Sequence, residues 1–202
     1  KGGAAFEKIG DCMHDLRAWI DLLAARGYRR IVLTGHSMGA VKAIYSQTRQ
    51  PHPHVAAILA ISPPRFCHDR LANGPRGEQF RSEFARMQDL VAQGRPDALV
   101  PVTHPLPFVA TPAGYLEKYG PDDPYDSLGF LPQIAGPVLV LIGSESAETS
   151  AAFAGAAEAI AELQPNCPGI SVEVVAGANI NYSNGPQAPF ERGVRWLSTL
   201  LR

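Results

Sequence analysis

The sequence predicts an α/β fold, a doubly wound and mainly parallel sheet with an inserted cap segment. Three observations carry that expectation. Short aliphatic runs, Ile31–Leu33, Val55–Ile61, Val138–Ile142 and Ile170–Val175, are separated by stretches of helical periodicity. A proline-dense segment, 63–132, interrupts the alternation. A serine between glycines, Gly35-His36-Ser37-Met38-Gly39, lies between the first run and an alanine-rich stretch.

Each element follows from its own pattern. Phe6, Ile9, Met13, Leu16, Ile20 and Leu23 recur at three- and four-residue spacing with Gly27 as a C-cap, so an amphipathic helix packed on the sheet is expected first. Arg30–Thr34 reads as a buried parallel strand, Ala40–Gln47 as the helix after it, and Val55–Ile61 as the next strand. Within 63–132, Phe80, Phe84, Met87 and Val91 mark one face of a helix. The wound pattern then resumes with a strand at Val138–Ile142, a helix over Thr149–Leu163, a strand at Ile170–Val175, and a last helix marked by Phe190, Val194, Leu197 and Leu201. Residues 1–62 and 133–202 form the expected core, and 63–132 the cap.

Composition narrows the function classes. With 202 residues, 46% hydrophobic and 18% charged, the chain has the profile of one soluble globular domain. A net charge of −1 and the lack of a basic run argue against nucleic acid and anionic membrane surfaces as partners. The longest aliphatic run, Val138–Ile142, falls far short of the roughly twenty residues that span a bilayer, and no signal pattern opens the sequence. Cys12, Cys67 and Cys167 are odd in number and widely spaced, which fits reduced thiols and a cytoplasmic location. No cofactor or metal is expected: His52 and His54 have metal-ligand spacing in a surface turn, but no carboxylate or thiol lies close in sequence.

The glycine-flanked serine carries the chemistry. A serine on a sharp strand-to-helix turn is forced into a strained backbone, and small residues two positions before and after leave room for it. Gly35 and Gly39 supply that room, and the Met38 N–H at the helix start is placed to stabilise an oxyanion beside the Ser37 hydroxyl.

At these residues the chain resembles the α/β-hydrolase family, and the resemblance runs in order from about Phe6 to Arg202. It implies a relative of serine esterases, lipases and amidases acting on small esters, thioesters or amides, with Ser37 as nucleophile. It also implies an acid after a later strand and a histidine before the last helix. The family's Gly-x-x-Asp pattern is represented by Gly143-Ser144-Glu145-Ser146, which puts Ser146 at the acid position and makes Glu145 the substitute acid, with Glu148 nearby. The family's Gly-Ala-Asp-His stretch is represented by Gly177-Ala178-Asn179-Ile180, followed by Asn181 and Tyr182, so Ile180 stands at the base position. Isoleucine accepts no proton, asparagine has no useful basicity, and no histidine follows His104. The usual acyl-transfer cycle is therefore expected to be severely impaired.

The remaining histidines offer replacements for the base. His36 joins Ser37 and Glu145 among the catalytic candidates, as a structural or oxyanion-side residue beside the nucleophile. His14 lies on the polar face of the first helix, whereas His68 and His104 in the cap are candidates for a displaced base. Leu106, Phe108 and Tyr115 of the cap, with Asn179, are expected to line an apolar acyl pocket.

In the family the serine follows a strand in the middle of the sheet, whereas here that strand comes first. Its outer edge is expected to be unpaired, and the start at Lys1-Gly2-Gly3 reads as the interior of a domain. The N-terminal strands are expected from a partner chain or a cleaved segment, or to be absent from this sequence. A sheet of six or more strands from this chain alone would contradict that. Two functional readings stay open: a serine-hydrolase-like enzyme with a displaced relay, or a non-catalytic receptor, scaffold or regulatory subunit that binds a small apolar, ester-like ligand.

Overall fold

The computed structural model describes residues 5–200. The expectations for Lys1-Gly2-Gly3 and Leu201 lie outside them. The chain divides into two compact units, one formed by residues 5–11 with Phe66–Asp126 and the other by Cys12–Arg65 with Ser127–Arg202.

The larger unit is built on four parallel strands, β1 (Ile31–His36), β2 (Val55–Ile61), β5 (Val138–Gly143) and β6 (Ile170–Val175), in the order β1-β2-β5-β6. Val138–Ile142 of β5 is fully buried, as a run of five aliphatic residues demands when both sheet faces are covered. One face packs on α2 (Met38–Arg49) and α8 (Ala156–Leu163) through Ala40, Ile44, Ile58, Val140 and Ile160. The other meets α9 (Ala188–Leu200), where Trp196 lies against Leu59, Leu139 and Leu141. Helices on both faces make the sheet doubly wound.

The strand β1 is at the sheet edge, and among the described residues it pairs only with β2. Ile31 and Ser37 donate their N–H groups to His54 and Ile61 on the β2 side, at 2.7 and 2.8 Å. Since successive N–H groups of a strand alternate in direction, those of Val32, Thr34 and His36 face the open side. Among the described residues the sheet has four strands, short of six.

Several boundaries differ from the sequence reading. Strand β1 runs on to His36 because Gly35 and His36 remain in register with Ala60 and Ile61. The first helix, α1 (Cys12–Ala25), starts later than the apolar spacing indicates: Ile9–Asp11 is a 3₁₀ turn, and Phe6 is exposed and belongs to the smaller unit. Gly27, at φ 94°, does close this helix region. Of the helix expected over Thr149–Leu163, Ala156–Leu163 (α8) is helical; Thr149 ends a separate short helix, α7 (Ser144–Thr149), and the chain turns between the two, with Gly155 at a left-handed φ of 66° just before α8. His52 is buried rather than in an exposed turn. Its Nε2 donates to Asp21 on α1 at 3.0 Å, while its Nδ1 accepts the His54 N–H at 3.1 Å.

The smaller unit contains α3 (His68–Asn73), α4 (Gly77–Ala92), α5 (Pro112–Tyr119) and an antiparallel pair, β3 (Val100–Val102) with β4 (Phe108–Ala110). Phe80 and Met87 of α4 are fully buried, as their shared helix face predicts, whereas Val91 at its end is exposed. Thr111 caps α5 by accepting the Gly114 N–H, and Pro112 takes the first turn, where no N–H is needed.

Candidate active site

The site is built from the C-terminal ends of β1, β5 and β6. Ser37 sits between β1 and α2 with φ 53° and ψ −121°, a conformation that costs a non-glycine residue about 1–3 kcal/mol. Its N–H bond to the Ile61 carbonyl holds that turn to the end of β2. Its hydroxyl caps no N–H of α2. The amides of Met38 and Gly39 open the helix, where no intrahelical acceptor exists for them.

The two glycines around Ser37 have different roles. A Cβ on Gly35 would collide with the Gly39 carbonyl, whereas a Cβ on Gly39 would meet nothing. Sharp bending is therefore enforced at Gly35. The space expected of Gly39 lies in its backbone, which passes over Gly35.

Three loops that would hold a nucleophile, an acid and a base meet here through backbone atoms. His36 donates Nε2–H to the Ile180 carbonyl at 2.7 Å, which fixes its tautomer because a carbonyl only accepts. Glu145 donates its N–H to the Ala178 carbonyl at 3.1 Å, and the Ser144 hydroxyl accepts the Gly177 N–H at 2.9 Å. Gly143 makes the approach possible, since a Cβ there would clash with the Ala178 carbonyl.

The side chains at these loops are placed as follows. Ser146, at the acid position, is buried at the start of α7, and the Glu145 side chain is exposed. Ile180 is half-buried and packs against the apolar core that includes Ala40 and Phe153. Asn179 turns inward on its own loop, where its Oδ1 accepts the N–H groups of Asn181 and Ser183 at 3.0 and 3.2 Å. Among the described residues no imidazole bonds the Ser37 hydroxyl.

The other candidates are placed as follows. His14 is exposed on α1. In the smaller unit, His68 Nδ1 donates to the Tyr119 carbonyl at 2.8 Å, and His104 is buried with no partner for either ring nitrogen. Tyr115 is fully buried in that unit and donates its hydroxyl to the His104 carbonyl, Phe108 stacks on Tyr115, and Leu106 is exposed.

Two features of the site have no signature in the sequence. Ser62 and Tyr182, both with positive φ (48° and 53°), join their hydroxyls at 3.2 Å just beyond β2 and β6. Burial pushes the Tyr182 phenol above its ordinary range, which keeps it protonated. A cavity of about 450 Å³ also opens beside His36, between Thr34, Leu59 and Ile61 of the sheet and Phe190 and Val194 of α9. It lies on the face opposite Gly35 and does not include Ser37 in its lining.

Among the described residues no group of three or more His, Cys, Asp or Glu could hold a metal ion, and no helix is long and apolar enough to cross a membrane. Comparison with known proteins agrees with the geometry. A sequence profile described as the alpha/beta hydrolase family matches residues 5–187. No curated protein matches the chain in sequence. Among solved structures, the chain is similar to a Paleococcus ferrophilus monoacylglycerol lipase (18% identity, TM-score 0.59), with 96% of this chain covering 76% of that one. It is also similar to E-2-(acetamidomethylene)succinate hydrolase (20%, TM-score 0.54), with 96% covering 74%. A third similarity is to the carboxylesterase CesB of Bacillus subtilis (19%, TM-score 0.52), with 96% covering 68%. At these identities the structures speak for the fold, the profile speaks for the family, and the chain belongs to the α/β-hydrolase family.

Proposed function

We propose that the chain is a relative of the serine esterases in which Ser37 is poised as a nucleophile while the charge relay is impaired, so that turnover of small esters, thioesters or amides is slow. The observation that carries this reading is the pairing of a strained Ser37 with an isoleucine at the base position. A hydroxyl without a base attacks poorly, and loss of relay members costs about 10⁴- to 10⁶-fold in rate. What survives is oxyanion stabilisation by the Met38 N–H and whatever binding the pocket offers.

A second reading is favoured by the packing of Ile180 against the core. There the pocket serves a small apolar, ester-like ligand without turnover, in a receptor, scaffold or regulatory subunit. Labelling with a fluorophosphonate probe separates the two. Ser37-dependent labelling, absent in Ser37→Ala, supports the enzyme. Labelling that arises only in an Ile180→His, Ser146→Asp double variant supports the non-catalytic reading, and a double variant that stays silent speaks against an intact site.

The open edge of β1 supports a companion proposal, that strands from a partner chain or another segment of the polypeptide pair there. Exposed Phe190 and Val194 beside the cavity fit such a cover. Hydrogen exchange at Val32, Thr34 and His36 tests it: slow exchange means the edge is paired in the functional protein, and fast exchange there refutes the proposal.

A further inference from the structure

The smaller unit holds a titratable group that the esterase-like site does not use. His104 lies in the connection between β3 and β4, is 2% exposed, and has neither ring nitrogen hydrogen-bonded. Its ring stands edge-on to Phe80 of α4 at 5.6 Å between centroids. The backbone around it, in contrast, is held by several hydrogen bonds. His104 and Thr103 donate their N–H groups to Glu83 of α4, Tyr115 of α5 donates to the His104 carbonyl, and Arg76 donates to the Pro105 carbonyl.

A neutral imidazole tolerates such a seat, and an imidazolium does not. Arg76, at the start of α4, repels a cation in the ring, whereas Glu83 attracts one. The Glu83 carboxylate is already occupied by the N–H groups of Thr103 and His104, the Thr103 hydroxyl and Arg86, and it bonds neither ring nitrogen. Tyr115 offers its hydroxyl only to the His104 carbonyl. His68 of α3 meets Phe80 and Phe84 rather than the His104 ring. Burial is the largest influence, and it lowers the pKa of His104 below the ordinary histidine value.

We propose that His104 is an acid-released latch: its neutral ring seats the β3–β4 connection on α4, and protonation drives the ring into water and opens that connection. The direction follows from linkage. The open form binds a proton near the ordinary histidine value of about 6.5, and the closed form binds it only at lower pH. Opening is therefore favoured as pH falls below about 6.5, by up to tenfold per pH unit, and levels off once the closed form also protonates.

Amide hydrogen exchange of the whole chain, corrected for intrinsic rates and compared at pH 7.5 and 5.0, reads the opening directly. The expected result is a gain of about tenfold or more over residues 100–110 at pH 5.0, no change in β5, and no acid response in His104→Leu. A His68→Gln variant keeps the response. Equal protection at both pH values overturns the proposal, as does the same acid response in His104→Leu or its loss only in His68→Gln. Should His104→Leu fail to fold, NMR titration of the ring in the unaltered protein decides: a closed form that protonates at or above pH 6.5 overturns the latch, and one that protonates below it upholds the latch.

Discussion

The His36 side chain is bonded to the Ile180 backbone, Nε2 to carbonyl oxygen at 2.7 Å. The residue beside Ser37 thus grips the loop that holds Ile180, and it does so without regard to the side chain at position 180.

Removing that grip loosens the loop. His36→Ala is expected to destabilise the protein by about 0.5–1.5 kcal/mol, the net worth of one hydrogen bond. Chemical denaturation measures the loss, and hydrogen exchange over 176–183 locates it. An unchanged exchange pattern in that loop would show that the bond does not hold it.

The two glycines flanking Ser37 give opposite outcomes. Gly35→Ala forces a methyl group into the Gly39 carbonyl and is expected to cost about 3 kcal/mol or more, with loss of any Ser37 reactivity towards a fluorophosphonate. Gly39→Ala adds a methyl group in open space at the start of α2 and is expected to be neutral, or stabilising by up to about 1 kcal/mol. Equal effects in thermal denaturation would contradict the geometry.

Truncating Tyr182→Phe leaves the fully buried Ser62 hydroxyl without its partner. A cost of about 1–3 kcal/mol is expected. The Ser62→Ala, Tyr182→Phe double variant should recover part of it, and a double-mutant cycle in urea measures the coupling.

The Asp21–His52 pair makes stability depend on acid. The His52 hydrogen bond and, after it, Arg17 lower the pKa of the Asp21 carboxyl. The folded state therefore binds this proton less readily than the unfolded chain. The carboxylate's contribution is complete above about pH 4 and is lost as pH falls through the lowered value. Asp21→Asn is expected to melt at a lower temperature than the parent at pH 7, with the gap closing on acidification below about pH 4. A gap that widens there would reverse the sign.

Much of this was legible in the sequence because each signal was local. Five consecutive aliphatic residues read as a covered strand, and a serine between two glycines after a shorter aliphatic run reads as a sharp strand-to-helix turn. Ser146 and Ile180 as acid and base positions are what the family resemblance implies. The rest depended on meetings between distant residues. Asp21 and His52 are 31 positions apart, and nothing near His52 foretold a carboxylate. The seam between residues 144–145 and 177–178 uses mostly backbone atoms, which every sequence possesses. A turn ending in left-handed Gly155 precedes α8, where alanine content alone would have continued the helix.

Because that seam and the His36 grip are anchored on main-chain atoms of their partners, the identities of residues 146 and 180 are uncoupled from the frame that presents them. The main-chain frame makes no demand of its own on those two side chains, whereas the buried seat of Ser146 and the packing of Ile180 on the core do.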